Sequence, residues 1–291
     1  MSKDSDNSQE LQDSRLLSFL DENQGILLHF FEAQKMISDV AITCELRPKA
    51  FSSYRDIVLS VQLLVSFLKD QSTFGFYVDS EEPKFAIKIE TNSNGFTRCL
   101  CIPHDLDYLP DAVTGLARVV RESPNSKQTY TSIIELNKTP MREVVNKVML
   151  ESFQLDGRIQ ISDAVDQSLM LSRVPGQSKQ KLIAQLIEEE GLGVNEYFFK
   201  HQIKINALLN QIYNNEQEII SAVKNNLGMV FLDSKPINFF CPCSKQRMVE
   251  NLRNFIRTNP EPLFDPGQKQ LEITCEYCRK VYAIKEIELV D

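Results

Sequence analysis

Four cysteines, arranged as Cys241-Pro242-Cys243 and Cys275-Glu276-Tyr277-Cys278, constrain this chain more than any other feature. Two close pairs separated by 31 residues supply the four thiolates that a tetrahedral Zn²⁺ requires once folding brings them together. Two thiolates spaced C-x-C repel each other unless a cation holds them, and they are poised to pair covalently once it is lost. The stretch 239–291 has 53 residues, below the size at which an apolar core usually suffices, so metal binding and folding should be one event. Spacing alone leaves two readings open, an inert structural zinc site and a metal site that senses oxidants.

With 291 residues and a 42% hydrophobic fraction the chain has material for a real core. Its 32 basic and 40 acidic side chains give a net charge of −8, and 239–291 balances eight of each, so no phosphate-seeking surface is expected and nucleic acid is a poor partner. No apolar run approaches the roughly 18 residues a membrane span needs, and Met1-Ser2-Lys3-Asp4-Ser5-Asp6 is polar, which predicts a cytoplasmic protein without a cleaved signal. In a reducing compartment seven cysteines are not a disulfide framework; metal binding or redox chemistry suits the clustered ones.

Along the chain, residues 1 to 13 are polar. Leu16, Leu17, Phe19 and Leu20 predict a short helix and Ile26 to Phe31 a strand. Ile57, Val61, Leu64, Val65 and Leu68 repeat at helical spacing. Phe74 to Asp79, Lys84 to Glu90 and Phe96 to Ile102, the last pair joined at Asn94-Gly95, predict three meandering strands. Thr129 to Leu136 is a further strand, and Thr139-Pro140 reads as an N-cap with proline at the first helical position, Val144, Val145, Val148, Met149 and Phe153 forming the buried face. Arg158 to Ser162 and Ser168 to Val174 complete the strands.

Past Gly176 helical patterns dominate: Leu182 to Ile187, then Ile205, Leu208, Leu209 and Ile212, then Ile219, Ile220, Val223 and Leu227 before Gly228. Rich in Asn and Gln, and with Glu188-Glu189-Glu190 at a helix end where the macrodipole disfavours negative charge, this stretch reads as a marginally stable connector. The predicted fold is α+β: an N-terminal mixed domain over 1–176, a helical linker over 177–238 and a small four-cysteine zinc-binding domain over 239–291.

Cys99-Leu100-Cys101 lies in a predicted strand, where alternate Cα atoms near roughly 7 Å apart are awkward to bridge, so both thiols read as packing residues; Cys44, without an evident partner, reads the same way. His29, His104 and His201 are scattered. No Ser/His/Asp arrangement, P-loop or dinucleotide fingerprint is visible, and an enzyme is not expected. Cys275 and Cys278 precede a strand-like Val281 to Ile284 instead of opening a helix early in a βαβ unit, which disfavours a thiol-disulfide oxidoreductase.

The run Phe239-Phe240-Cys241-Pro242-Cys243-Ser244-Lys245-Gln246-Arg247, followed by Ile273-Thr274-Cys275-Glu276-Tyr277-Cys278 and Val281-Tyr282-Ala283-Ile284, resembles the 33 kDa heat-shock chaperone family, the redox-regulated holdases. Arg98 after the Asn94-Gly95 turn, Tyr130 to Leu136, and Leu169-Met170-Leu171 with Pro175-Gly176-Gln177 extend the likeness. The sequence departs from the family pattern at Asp79 to Lys84, where a glycine-containing turn is usual, and at Cys99, where glycine often stands.

The resemblance implies one zinc per chain on Cys241, Cys243, Cys275 and Cys278 in a reduced, inactive form. Oxidation to two disulfides, Cys241 with Cys243 and Cys275 with Cys278, then releases the metal and frees surface for unfolded client proteins. It also implies ATP-independent work, commonly as a homodimer when active. The alternative is a protein-interaction module with a purely structural zinc.

Overall fold

The computed structural model describes residues 11–124, 129–174, 192–259 and 263–289. The chain divides into two compact units, Met1–Phe239 and Phe240–Asp291. The architecture is α+β, as the sequence predicts.

The larger unit is built on two sheets. One has five antiparallel strands: β1 (Arg15–Asp21), β2 (Ile26–Glu32), β8 (Gly157–Ile161), β9 (Gln167–Arg173) and β10 (Val230–Pro236), in the order β10-β1-β2-β9-β8. The other has six: β3 (Thr73–Ser80), β4 (Phe85–Asn92), β5 (Phe96–Ile102), β6 (Ala112–Glu122), β7 (Tyr130–Pro140) and the short β11 (Asn238–Phe239), in the order β11-β5-β4-β3-β6-β7. All pairs in it are antiparallel except β11 with β5.

Helix α2 (Pro48–Leu63) touches β2, β8 and β9 of the first sheet and β4 of the second, and its apolar stripe continues into a 3₁₀ turn, Leu64–Phe67. The main core collects around it. Phe74, Phe76 and Val78 from β3 and Ile87 and Ile89 from β4, alternating as strand geometry requires, meet Ile57, Val58, Val61 and Leu64. A second core lies under α4 (Val194–Asn210) and α5 (Glu216–Leu227), with Leu17, Phe19, Leu28, Phe30, Leu169 and Leu171 against Tyr197, Phe198, Ile205, Leu208 and Val223.

The two cores explain why β1 does not read as a strand. Leu16 faces the main core while Leu17 and Phe19 face the second, so β1 is apolar on both sides and shows a continuous run instead of an alternation. The helix expected over Leu16 to Leu20 is therefore a strand. Thr139-Pro140 is also not a helix start: Thr139 is buried opposite Val113 in β7, Pro140 ends that strand, and a 3₁₀ turn, Met141–Glu143, leads into α3 (Val144–Val148) and a π-turn, Met149–Phe153. Val144, Val145, Val148 and Met149 are buried as expected.

Two elements are not among those expected from the sequence, although Met36, Ile37 and Val40 in one and Val113, Ala117 and Val119 in the other have the right spacing. α1 (Gln34–Thr43) has neither a capping side chain nor an acidic first turn. β6 is interrupted at Gly115, which stands where a Cβ would run into the Asp79 backbone.

In the stretch read as a helical connector, the expected helix over Leu182 to Ile187 lies outside the described residues. α4 and α5 follow as expected, α5 capped by the Asn215 side chain, which accepts from the Glu218 N–H at 3.0 Å, and closed by Gly228 at φ +71°. The end of that stretch is not helix: β10 adds to β1, and β11 to β5. Together they form a strap. Ile237 between them is fully buried, its N–H donating to the Ser14 carbonyl at 2.8 Å. Asp56, at 4% exposure, is held between Arg55 (2.9 Å) and Arg142 (2.6 Å), and Arg55 and Arg142 reach on to Asp166 and Asp163, which ties α2 to the loop between β8 and β9.

The smaller unit has one helix, α6 (Lys245–Thr258), a hairpin of β12 (Gln270–Thr274) and β13 (Val281–Lys285), and a final 3₁₀ turn, Glu286–Glu288. Its core is slight: among its described residues only Cys275, Tyr282 and Ile284 are buried, with Met248, Val249, Leu252 and Leu289 packed partly against them. No helix among the described residues is long and apolar enough to cross a membrane.

Candidate metal centre

Local structure delivers the four sulfurs to one point. Cys241 and Cys243 sit on the extended segment ahead of α6, where the Ser244 hydroxyl caps the helix by accepting from the Arg247 N–H at 3.2 Å, and the Arg247 guanidinium donates to the Pro242 carbonyl at 2.9 Å. Cys275 ends β12, and the chain turns tightly back into β13. The Cys275 N–H donates to the Lys280 carbonyl at 2.9 Å and the Arg279 N–H to the Cys275 carbonyl at 2.8 Å, with Arg279 left-handed at φ +59°. That turn carries Cys278 to the same side as Cys275.

All four Sγ atoms lie within 4.8 Å of one another. Cys241 and Cys275 are 3.6 Å apart and Cys243 and Cys278 3.3 Å, close to the edge of about 3.8 Å that a tetrahedron of metal–sulfur bonds near 2.3 Å would have. The close contacts run between the two sequence pairs, and all seven cysteines are free thiols. Among the described residues this is the one group of three or more His, Cys, Asp or Glu side chains arranged to converge on an ion.

The electrostatics show why such a cluster suits a cation. Burial pushes the Cys241 thiol well up, with the neighbouring sulfurs adding to the effect, and burial raises Cys278 as well. At Cys243 burial also acts upward, but hydrogen bonds from the Tyr282 hydroxyl and the other three sulfurs outweigh it and bring the thiol down to about 7. The Cys243 proton leaves readily, while burial first and the neighbouring sulfurs second hold the protons of Cys241 and Cys278. A bound divalent ion removes that resistance. Four sulfur donors and no carboxylate match a borderline-soft metal ion.

Tyr282 is the residue that sequence reasoning missed. Its hydroxyl lies 3.1 Å from the Cys243 sulfur and its ring is 7% exposed. The signal available was its place four residues after Cys278 and two before Ile284, on the inward face of β13.

The other three thiols behave differently. Cys99 and Cys101 both point into the main core, where burial pushes each up to about 12, and Cys44, also raised by burial, packs against the same core. Such thiols are protonated and shielded at neutral pH. His29 is buried with its Nδ1 2.9 Å from the Ser18 hydroxyl, and none of the three histidines joins the sulfur cluster.

A fold of two sheets and a separate four-sulfur unit defines a chaperone class when set beside known proteins. The model of the Hsp33 protein family matches residues 14–285, and the chain belongs to the Hsp33 family. A 33 kDa chaperonin of Desulforamulus reducens is 24% identical over 254 residues, covering 83% of this chain and 84% of that protein. A 33 kDa chaperonin of Prochlorococcus marinus is 23% identical over 241 residues, covering 78% and 73%. The crystal structure of the 33 kDa chaperonin of Thermotoga maritima superposes with a TM-score of 0.66 at 13% identity, covering 96% of this chain and 97% of that one, which shows a common fold.

Proposed function

We propose that this protein is a redox-regulated, ATP-independent holdase: Zn²⁺ on Cys241, Cys243, Cys275 and Cys278 keeps it inactive, and oxidation of those sulfurs turns it on. The observation that carries the reading is that the sulfur cluster is itself the centre of the small unit's core. With only Cys275, Tyr282 and Ile284 buried among its described residues, that unit shows too little apolar burial for a stable fold, and the free energy of metal binding supplies the rest. Bound zinc would hold the four sulfurs as thiolates and cross-link the segment before α6 to the hairpin.

Peroxide converts two thiolates to a disulfide and two hydroxides, each sulfur giving up one electron, and two such events consume all four ligands. The pairing proposed from family likeness is Cys241 with Cys243 and Cys275 with Cys278. A disulfide binds no zinc, so the metal is released and the small unit loses its core. One residue, Phe240, separates the first cysteine from Phe239, the last residue of the strap, so unfolding of the small unit reaches the edges of both sheets through the backbone.

The working division proposed is a chaperone and dimerisation domain over 1–176, a metastable linker over 177–238 and the switch over 239–291. The exposed Phe199 and Ile203 on α4 are consistent with a linker that offers apolar surface to unfolded clients. Work as a homodimer and a cytoplasmic location belong to the same proposal.

The test is to treat purified reduced protein with peroxide or hypochlorite, follow zinc and free thiols, and measure light scattering from an unfolding client. One zinc and four thiols lost, with scattering suppressed, is the expected result. Loss of zinc without any gain in client protection sinks the proposal and leaves a structural zinc module.

A further inference from the structure

We propose that Tyr282 is a positioning residue of the switch, its hydroxyl holding the Cys243 sulfur and damping that ligand's attack on an oxidant. The inference rests on the reading that the four sulfurs hold zinc. Its geometry stands on the hydroxyl–sulfur distance of 3.1 Å and on the fixed place of the ring. Tyr282 lies opposite Ile273 in the hairpin, shares the inward face of β13 with fully buried Ile284, and has Lys280 Nζ 5.5 Å from its ring centroid.

When the four sulfurs hold a divalent cation they carry no protons, so the phenol is the only possible donor in this contact. A hydrogen bond donated to a metal-bound thiolate draws density from the lone pair that would attack an oxidant. Cys275 is already 6% exposed and shielded by packing. Cys241 and Cys278 are partly exposed like Cys243, but their donors are the main-chain N–H groups of Cys243 and Lys280, so Cys243 is the accessible sulfur held by a side-chain hydroxyl.

The electron balance places the consequence. A thiolate attacks peroxide to give a sulfenic acid and hydroxide, and a second thiolate then displaces hydroxide from that sulfur to form the disulfide. A hydrogen bond at Cys243 slows attack by that sulfur in either step, on peroxide or on a sulfenic partner, and steadies the reduced site. The tyrosine thus raises the oxidant threshold of the switch without entering the disulfide.

The experiment compares full-length zinc-loaded protein with Tyr282→Phe, which keeps the ring and its packing. Alkylation by N-ethylmaleimide is followed cysteine by cysteine by mass spectrometry, and zinc release by peroxide is followed with a chromogenic chelator. In Tyr282→Phe the alkylation rate of Cys243 and the rate of zinc release should rise about tenfold, the usual scale for an outer-shell ligand partner, with the alkylation rates of Cys241 and Cys278 little changed. An unchanged rate at Cys243 in the variant overturns the proposal. Neither readout involves client protection, so failure here is separable from failure of the holdase reading.

Discussion

The carbonyl oxygen of Pro236 stands where the Cβ of any residue other than glycine at position 95 would lie. Gly95 is also left-handed, at φ +79°, and its own carbonyl accepts from the Asn238 N–H at 2.9 Å. The hairpin turn between β4 and β5 is thus a seat for the strap.

Gly95→Ala adds left-handed strain to a backbone collision, and we expect it to destabilise the larger unit by roughly 2–4 kcal/mol. Urea unfolding measures the loss, and amide exchange at Ile237 to Phe239 should rise first. An unchanged midpoint would show that the strap is not seated on this turn.

Removal of the metal from the reduced protein should unfold the smaller unit and loosen the strap, leaving the two cores of the larger unit folded. Strong chelation is expected to make 240–291 sensitive to protease while the two sheets keep their protection, because their cores contain none of the four cysteines. Cys275→Ser should reproduce the effect without chelator. Full protease resistance of 240–291 after the metal is gone would contradict it.

Asp56→Ala leaves Arg55 and Arg142 facing each other across a buried site. Arg142 is half-exposed and both arginines keep a second carboxylate, so the substitution should cost less than the about 3–5 kcal/mol of breaking a fully buried pair. Asp56→Asn, which keeps an acceptor, should cost less. Equal midpoints for both variants would assign the effect to the lost charge, since only Asp56→Ala also removes the acceptor and the volume.

Two buried groups give the stability opposite pH slopes. Burial lowers His29 from 6.5 to about 4, so between these values the unfolded chain takes up a proton the native state refuses, and stability falls as pH drops from 6.5 through 4, by roughly 3 kcal/mol in full. Burial raises Glu32 from 4.5 to about 7, the Gln34 N–H opposing and nearby Asp166 adding. Its contribution is complete below 4.5 and is lost as pH rises through 7. His29→Gln should flatten the acid limb and Glu32→Gln the neutral limb in urea titrations across pH 4 to 8; parallel curves for all three proteins would refute both assignments.

Residues whose pattern belongs to one surface were legible in the sequence. The β4–β5 hairpin with its Asn94-Gly95 turn and α5 with Gly228 each pair an apolar face with a chemical stop, and the α2 stripe shows although Asp56 to Leu63 are buried on every side. β1 was not, because two cores claim its two faces. β10 was not, because Val230 and Leu232 stay nearly half exposed and main-chain pairing with β1 holds it, leaving no apolar signature. At the metal centre the cysteines declared themselves through spacing, whereas Tyr282 has the look of an ordinary strand aromatic until the fold sets it against Cys243.

The strap also fixes when the larger unit can be finished. Arg15 and Ser234, hydrogen-bonded at 3.2 Å, are 219 positions apart, so on a ribosome the first strand waits with one bare edge until almost all of the two sheets has been made. Pairing at such separation is slow and leaves an edge open to wrong partners in the meantime. A chain that belongs to a chaperone family therefore passes through a stage at which it has the same need as a client, and that stage closes only just before its first metal-site cysteine is synthesised.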